Sequence, residues 1–112
     1  MSEPLVIDLP GGESIEVNEN EWTQVAAANW NRSEDDGYVQ WTQTVRRHAD
    51  GRTLVYVLHL PTSGIMQTVG EILPKGSSDV PAVVKRLAEQ CDVPSNVSNS
   101  CLEAYKRSLR RT

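Results

Sequence analysis

The sequence predicts a single α+β domain over residues 1–112, in which a small antiparallel sheet of two hairpins packs against an N-terminal helix and a C-terminal helical pair. Two pairs of β-rich runs, each joined by a glycine-containing turn, predict hairpins at residues 5–17 and 38–60. Apolar residues at helical spacing predict the helices. A length of 112 residues fits one domain that folds without a disulfide or a metal.

The composition argues against several classes of protein. With 38% hydrophobic and 23% charged residues the chain reads as globular, and no apolar run approaches the roughly 20 residues of a membrane helix. The start, Met-Ser-Glu-Pro, lacks the basic region of a signal peptide. Two cysteines are too few for a disulfide framework or a four-ligand zinc site. We therefore expect a cytoplasmic protein with no membrane partner.

The N-terminal third predicts a hairpin followed by a helix. The runs 5–9 and 14–17 flank Pro10-Gly11-Gly12, and glycine supplies the positive φ that tight turns need. Asn18 followed by Glu21 resembles a capping box. The apolar residues behind it recur at i, i+3, i+4 and i+8, which indicates a helix over residues 19–30 and a loop over 31–37; they are Trp22, Val25, Ala26 and Trp30.

The second hairpin leaves two registers open. Asp50-Gly51 lies between two runs rich in valine, threonine and aromatic residues, which is a strong hairpin signal. A two-residue turn places Val45 opposite Tyr56, and we favour it because it gathers more apolar groups on one face. That face would consist of Val39, Trp41, Val45, Leu54, Tyr56, Leu58 and Leu60. A three-residue loop with a bulge at Gly51 shifts the pairing by one residue.

The last third is predicted to be mainly helical. Residues 65–73 have helical apolar spacing before Pro74, so a helix is favoured there, although Gly70 weakens it and a third strand is the alternative. A clear helical stripe follows, and a second helix from about Ser98 pairs with it. The stripe consists of Val80, Val83, Val84, Leu87 and Cys91, and the second helix presents Leu102, Tyr105 and Leu109.

Catalytic and metal chemistry find little support in the sequence. His48 and His59 would lie roughly 20 Å apart along the second hairpin, too far to share a metal or act as one base. Cys91 and Cys101 lie at facing helix ends, where a disulfide is geometrically open, but a reducing compartment favours two small buried thiols. We expect no enzyme, no cofactor and no metal. A pocket holding His59, Arg46 and Thr44 would instead favour an enzyme or ligand-binding domain.

Charge is distributed unevenly along the chain. Residues 1–45 carry nine acidic residues and one arginine, a formal charge of −8, whereas residues 46–112 carry six acidic and ten basic residues, a charge of +4. Such a dipole steers a charged partner unless folding brings the two halves together and cancels part of it. The two poles are therefore where a partner is expected.

These observations predict a protein that binds another protein or a second copy of itself. The candidate partner-binding residues are Trp30, the acidic Glu34, Asp35 and Asp36, and the basic Lys106, Arg107, Arg110 and Arg111. Trp30 is included because it would end a helix beside a polar loop, and tryptophan is enriched at interfaces. The alternative is a small regulator that contacts nucleic acid through the basic C-terminal helix, against which the pI near 5.1 argues.

Overall fold

The computed structural model describes residues 5–34, 37–60 and 66–109. Within them, six strands form a single mixed sheet of order β2-β1-β6-β5-β4-β3, followed in the chain by two α-helices. All neighbouring strands are antiparallel except β1 and β6, which are parallel. The elements are β1 Leu5–Asp8, β2 Ser14–Val17, β3 Trp22–Glu34, β4 Gly37–His48, β5 Thr53–Leu60, β6 Gln67–Leu73, α1 Val80–Gln90 and α2 Ser95–Leu109.

The predicted fold class, a small sheet of two hairpins with an N-terminal helix, is wrong. Residues 22–34 form the strand β3, which pairs with β4 along its whole length. A β-bulge between Gln24 and Ala26 explains the misleading spacing, because the extra residue places Trp22 on one face of the sheet and Ala26 and Trp30 on the other. Asn18 does not cap a helix; its side chain and carbonyl group close a turn that leads into β3.

The helix favoured for residues 65–73 is also wrong, since Gln67–Leu73 is the strand β6 and Ile65 lies outside the described residues. Gly70, which weakens the helical pattern of residues 65–73, is required by the packing of the strands. A Cβ at this position would lie 2.6 Å from Cγ2 of Ile7 in β1 and 2.9 Å from the carbonyl oxygen of Val55 in β5. Glycine is needed here because three strands approach each other closely.

The hairpin of β4 and β5 adopts the alternative register, and the favoured one is wrong. Val45 lies opposite Val55, and the loop of Ala49, Asp50 and Gly51 has Gly51 at φ +101°. The favoured register suits a sheet that is buried on one face only. Residues 53–57 of β5 are all buried, because the sheet is covered on both faces.

Two cores lie on opposite faces of the sheet. On the helix face, α1 and α2 cover β3, β4 and β5, and their buried residues include Val84, Leu87, Cys101 and Leu102. The predicted helical pair is therefore present, with α2 beginning at Ser95 rather than near Ser98, although Leu109 is exposed. The second core lies on the opposite, concave face and consists of Ile7, Val17, Trp22, Leu54 and Tyr56.

The concave core exists because the sheet is rolled. In a flat six-stranded sheet the edge strands β2 and β3 would lie about 24 Å apart. Here the chain passes from β2 to β3 through residues 18–21, which are folded into a turn in which Trp22 N–H donates to the carbonyl oxygen of Asn18 at 2.8 Å. The short hairpin of β1 and β2 consequently covers only the part of the concave face near Trp22. No helix among the described residues is long and apolar enough to cross a membrane.

Candidate functional site

Trp30 lies within a strand and not at the end of a helix, so the reason for selecting it is wrong. It is half-buried opposite Trp41 of β4, with ring centroids 5.2 Å apart, and packs against the helix-face core. The guanidinium of Arg32 lies 5.5 Å from the centre of its ring. Trp41 in turn stacks on His59 of β5 at 5.0 Å. Trp30 is thus the outermost member of an aromatic row that ends at β3, an edge strand of the sheet.

The structure describes only part of the remaining set of predicted residues. Glu34 is the last residue of β3, whereas Asp35, Asp36, Arg110 and Arg111 lie outside the described residues. Lys106 and Arg107 are exposed in the last turn of α2, where cations interact favourably with the helix dipole. Their position is as compatible with a structural role at the helix end as with binding.

Residues from both halves of the chain meet at the loop between β4 and β5. Glu21 lies 3.9 Å from Nε2 of His48, and Asp50 accepts hydrogen bonds from the main-chain N–H of Arg52 at 3.0 Å and from its Nε at 2.8 Å. Arg46 donates to the Tyr56 hydroxyl at 3.1 Å and to the Trp22 carbonyl oxygen at 3.0 Å. Asp50 and Arg52 are therefore paired with each other, and Arg46 bonds to groups within the protein.

The described residues offer little support for nucleophilic or metal chemistry. They contain no group of three or more side chains placed to hold a metal ion. Both cysteines are free; burial raises the pKa of Cys101 to about 11 and also raises the pKa of the half-buried Cys91. Both groups are protonated near neutral pH and are poor nucleophiles.

Among the described residues, His59 lies on the opposite face of the sheet from Arg46 and Thr44, so the three do not line one pocket. His59 stacks on Trp41 on the helix face, whereas Arg46 bonds to Tyr56 on the concave face. A cleft of about 540 Å³ does lie between α1 and α2, with a mixed lining that includes Lys85, Glu89 and Ser98. The lining holds no histidine that could act as a general base toward Ser98.

The outer side of β3 is the feature that the sequence analysis missed. We call the segment 26–32 of this strand the β3 edge. Ala27, Asn29 and Asn31 are exposed there, and residues 26–31 contain no charge, glycine or proline. Among the described residues, no backbone hydrogen bond reaches their outer side, because β4 is the only strand that pairs with β3. A signal was available, since a helix on a protein surface normally carries charges on its outward face.

The other edge of the sheet differs in length and in charge. β2 has only four residues, and one of them is the exposed Glu16. Short, charged edge strands are a common protection against pairing with another chain. The β3 edge is longer and has no charged residue between the bulge and Arg32, so its backbone is less protected against pairing with another strand.

An uncharged part of the concave face adjoins the β3 edge. We call it the open face; it lies beyond the cover of β1 and β2 and consists of Asn29, Asn31, Gln40, Thr42, Leu58 and Leu60. Neighbouring residues form rows across the strands, such as Asn29, Thr42 and Leu58. Amide, hydroxyl and apolar groups lie side by side here without an ionisable side chain.

No family model matches the chain, and comparisons with curated proteins and with solved structures found no match.

Proposed function

We propose that this chain is a non-catalytic binding protein that takes a strand of another polypeptide onto its β3 edge. The contrast between its two sheet edges carries the proposal. β2 is short and bears an exposed glutamate, whereas β3 is 13 residues long and has six successive uncharged residues, 26–31. Unprotected edges of this kind are rare in proteins unless they are used, because they promote aggregation.

Strand addition explains how such a surface binds. Alternate residues of an edge strand turn their N–H and C=O groups outward, and an added strand pairs with them. Each net hydrogen bond contributes about 0.5–1.5 kcal/mol, so the backbone supplies general affinity. Side chains of the added strand would lie alternately beside Trp30 on the helix face and beside Asn29 and Asn31 on the open face, which supplies selectivity.

The chemistry of the surface indicates the type of strand that fits. Residues 26–31 of the β3 edge present small residues, amides and one half-buried tryptophan, so a partner strand rich in apolar and neutral polar residues pairs with them without burying an unpaired charge. The charge asymmetry of the chain then influences the approach of a partner rather than forming the binding site. A cytoplasmic location belongs to the proposal, because both cysteines are free and thiols persist in reducing compartments.

A displayed library of random peptides of about ten residues tests the proposal, since that length spans the β3 edge. The selection uses nanomolar protein, so that self-association does not block the edge. We expect wild type to enrich peptides that Asn29→Lys binds at least about tenfold more weakly, because a charge beside the added strand is left unpaired. Ser14→Lys, at the exposed start of β2, is the matched control and should bind like wild type.

Two outcomes would contradict the proposed function. The first is that no peptide is enriched by the wild-type protein. The second is that the enriched peptides bind equally to wild type, Asn29→Lys and Ser14→Lys, which would place their site away from the β3 edge.

A further inference from the structure

We infer that the strand received by the β3 edge is β3 of a second copy, paired antiparallel about a two-fold axis at Asn29. The two six-stranded sheets would become one continuous sheet across the interface. This inference rests on the proposed function and identifies its partner. Three properties of the segment support it: its charge, the sizes of its side chains and the position of the bulge.

Charge distinguishes the β3 edge from the rest of the surface. Two copies, each with a net charge of −4, repel one another in general. Pairing about Asn29 places Arg32 opposite Ala26 of the second copy. Within residues 26–32 no charged residue therefore lies opposite a like charge, whereas two β2 strands paired about Glu16 would place the two Glu16 side chains opposite each other.

Side-chain sizes are also self-complementary in this pairing. Trp30 lies opposite Ala28 of the second copy, and both residues are half-buried on the helix face of β3. A small residue opposite a large one leaves room for the indole ring across the interface. On the concave side, the two Asn29 amides lie opposite each other, and an amide both donates and accepts hydrogen bonds.

The bulge sets the N-terminal limit of the pairing segment. The ladder between β3 and β4 is irregular between Gln24 and Ala26, and it is regular from Ala26 onward. Ala26 and Arg32 are equally distant from Asn29, so a two-fold axis there uses the regular run that begins directly after the bulge. Beyond the bulge, the start of β3 packs into the concave core through Trp22.

The size of the contact predicts a reversible dimer. A seven-residue strand spans about 23 Å, and the indole of Trp30 is the largest side chain beside it. Stable interfaces bury about 1,200–2,000 Å² in total, and interfaces below that range are transient. One strand pair with two half-buried tryptophans falls toward the lower end, so we expect association in the micromolar range, about 1–100 μM.

The two-fold axis makes a charge-swap experiment possible. Sedimentation velocity is measured for wild type, Asn29→Lys, Asn29→Glu and a one-to-one mixture of the two variants, from about 1 μM to about 1 mM. Each variant alone opposes like charges at the axis, so its dimer dissociation constant should rise at least about tenfold. The mixture opposes lysine to glutamate and should return to within about threefold of wild type. The matched pair Ser14→Lys and Ser14→Glu should change nothing.

Each contrary result overturns the inference. Wild type that stays monomeric to about 1 mM, a dimer unaffected by the variants at Asn29, or a mixture that does not regain affinity would each exclude this axis. Because position 29 is exposed, circular dichroism should confirm that both variants fold. A monomeric wild type that still selects peptides through Asn29 would overturn the dimer while leaving the proposed function intact.

Discussion

The side-chain amide of Gln43 in β4 donates a hydrogen bond of 2.7 Å to the main-chain carbonyl oxygen of Val84 in α1. Gln43 is completely buried in the helix-face core, and among the described residues its Oε1 has no hydrogen-bond partner. One polar contact thus joins the sheet to α1, while an acceptor beside it stays unsatisfied. A buried acceptor without a partner costs about 1–3 kcal/mol.

Gln43→Met should leave the free energy of unfolding unchanged or raise it by about 1 kcal/mol, because methionine keeps the shape and removes the unsatisfied acceptor. Gln43→Glu should lower it by more than about 2 kcal/mol, because a carboxylate is desolvated in the same space. Urea denaturation measures both values. A loss of more than about 1 kcal/mol for Gln43→Met would show that the bond to Val84 outweighs the unsatisfied oxygen.

Gly70→Ala should lower the free energy of unfolding by about 1–3 kcal/mol, because the added methyl group overlaps Ile7 and the Val55 carbonyl. Gly76→Ala is the comparison: Gly76 has φ +82° and open space around its Cβ position, so it carries only the left-handed backbone cost of about 1 kcal/mol. Thermal and urea unfolding measure the two losses. Equal losses in both variants would argue against close packing of β1 on β6.

The stability of the loop between β4 and β5 should depend on acid pH through Asp50. The hydrogen bond from the Arg52 main-chain N–H, helped by the Arg52 side chain, holds the pKa of Asp50 below its ordinary value of 3.8. Because the folded-state pKa is lowered, this contribution is present above pH 3.8 and is lost as the pH falls through the folded pKa.

Asp50→Asn provides the measurement, since it removes this titration. Wild type should have a higher free energy of unfolding than the variant at neutral pH. This difference should become smaller between pH 3.8 and about pH 2. Denaturation at a series of pH values gives the difference directly. A gap that stays constant down to about pH 2 would mean that Asp50 does not interact with Arg52 as a carboxylate.

The two thiols should differ in reactivity. Cys101 is completely buried and its pKa is raised to about 11, whereas Cys91 is half-buried at the end of α1. A thiol reagent at about pH 8 should modify Cys91 slowly and leave Cys101 intact until the protein unfolds. The folded Cys91→Ser variant should therefore show almost no reaction with the thiol reagent, whereas the variant unfolded in denaturant should react fully. Rapid labelling of this variant would contradict the packing of α2 on the sheet.

Local signals predicted part of the fold and missed its organisation. Pro10-Gly11-Gly12 predicted the pairing of β1 with β2, and the stripe from Val80 to Leu87 predicted α1. The bulge beside Val25 gives β3 an apolar spacing that resembles that of a helix, and Gly70 makes β6 difficult to identify as a strand. Both features depend on neighbours distant in sequence. The candidate site also depends on neighbours distant in sequence, so the sequence alone did not reveal it. Trp30 is predicted from its residue type and from an expected helix end, whereas the β3 edge follows only from the finding that, among the described residues, β4 is the one strand that pairs with β3.

The central claim is that the β3 edge pairs with β3 of a second copy. Amide hydrogen exchange along this edge tests it most directly. Exchange of the backbone N–H groups of residues 26–32 is compared at about 1 μM and about 1 mM protein, with β2 as the internal reference. The account predicts that alternate amides of the β3 edge become protected at the higher concentration, because they donate to an added strand, while β2 does not change. Equal exchange at both concentrations in residues 26–32, or protection that appears only in β2, would contradict it.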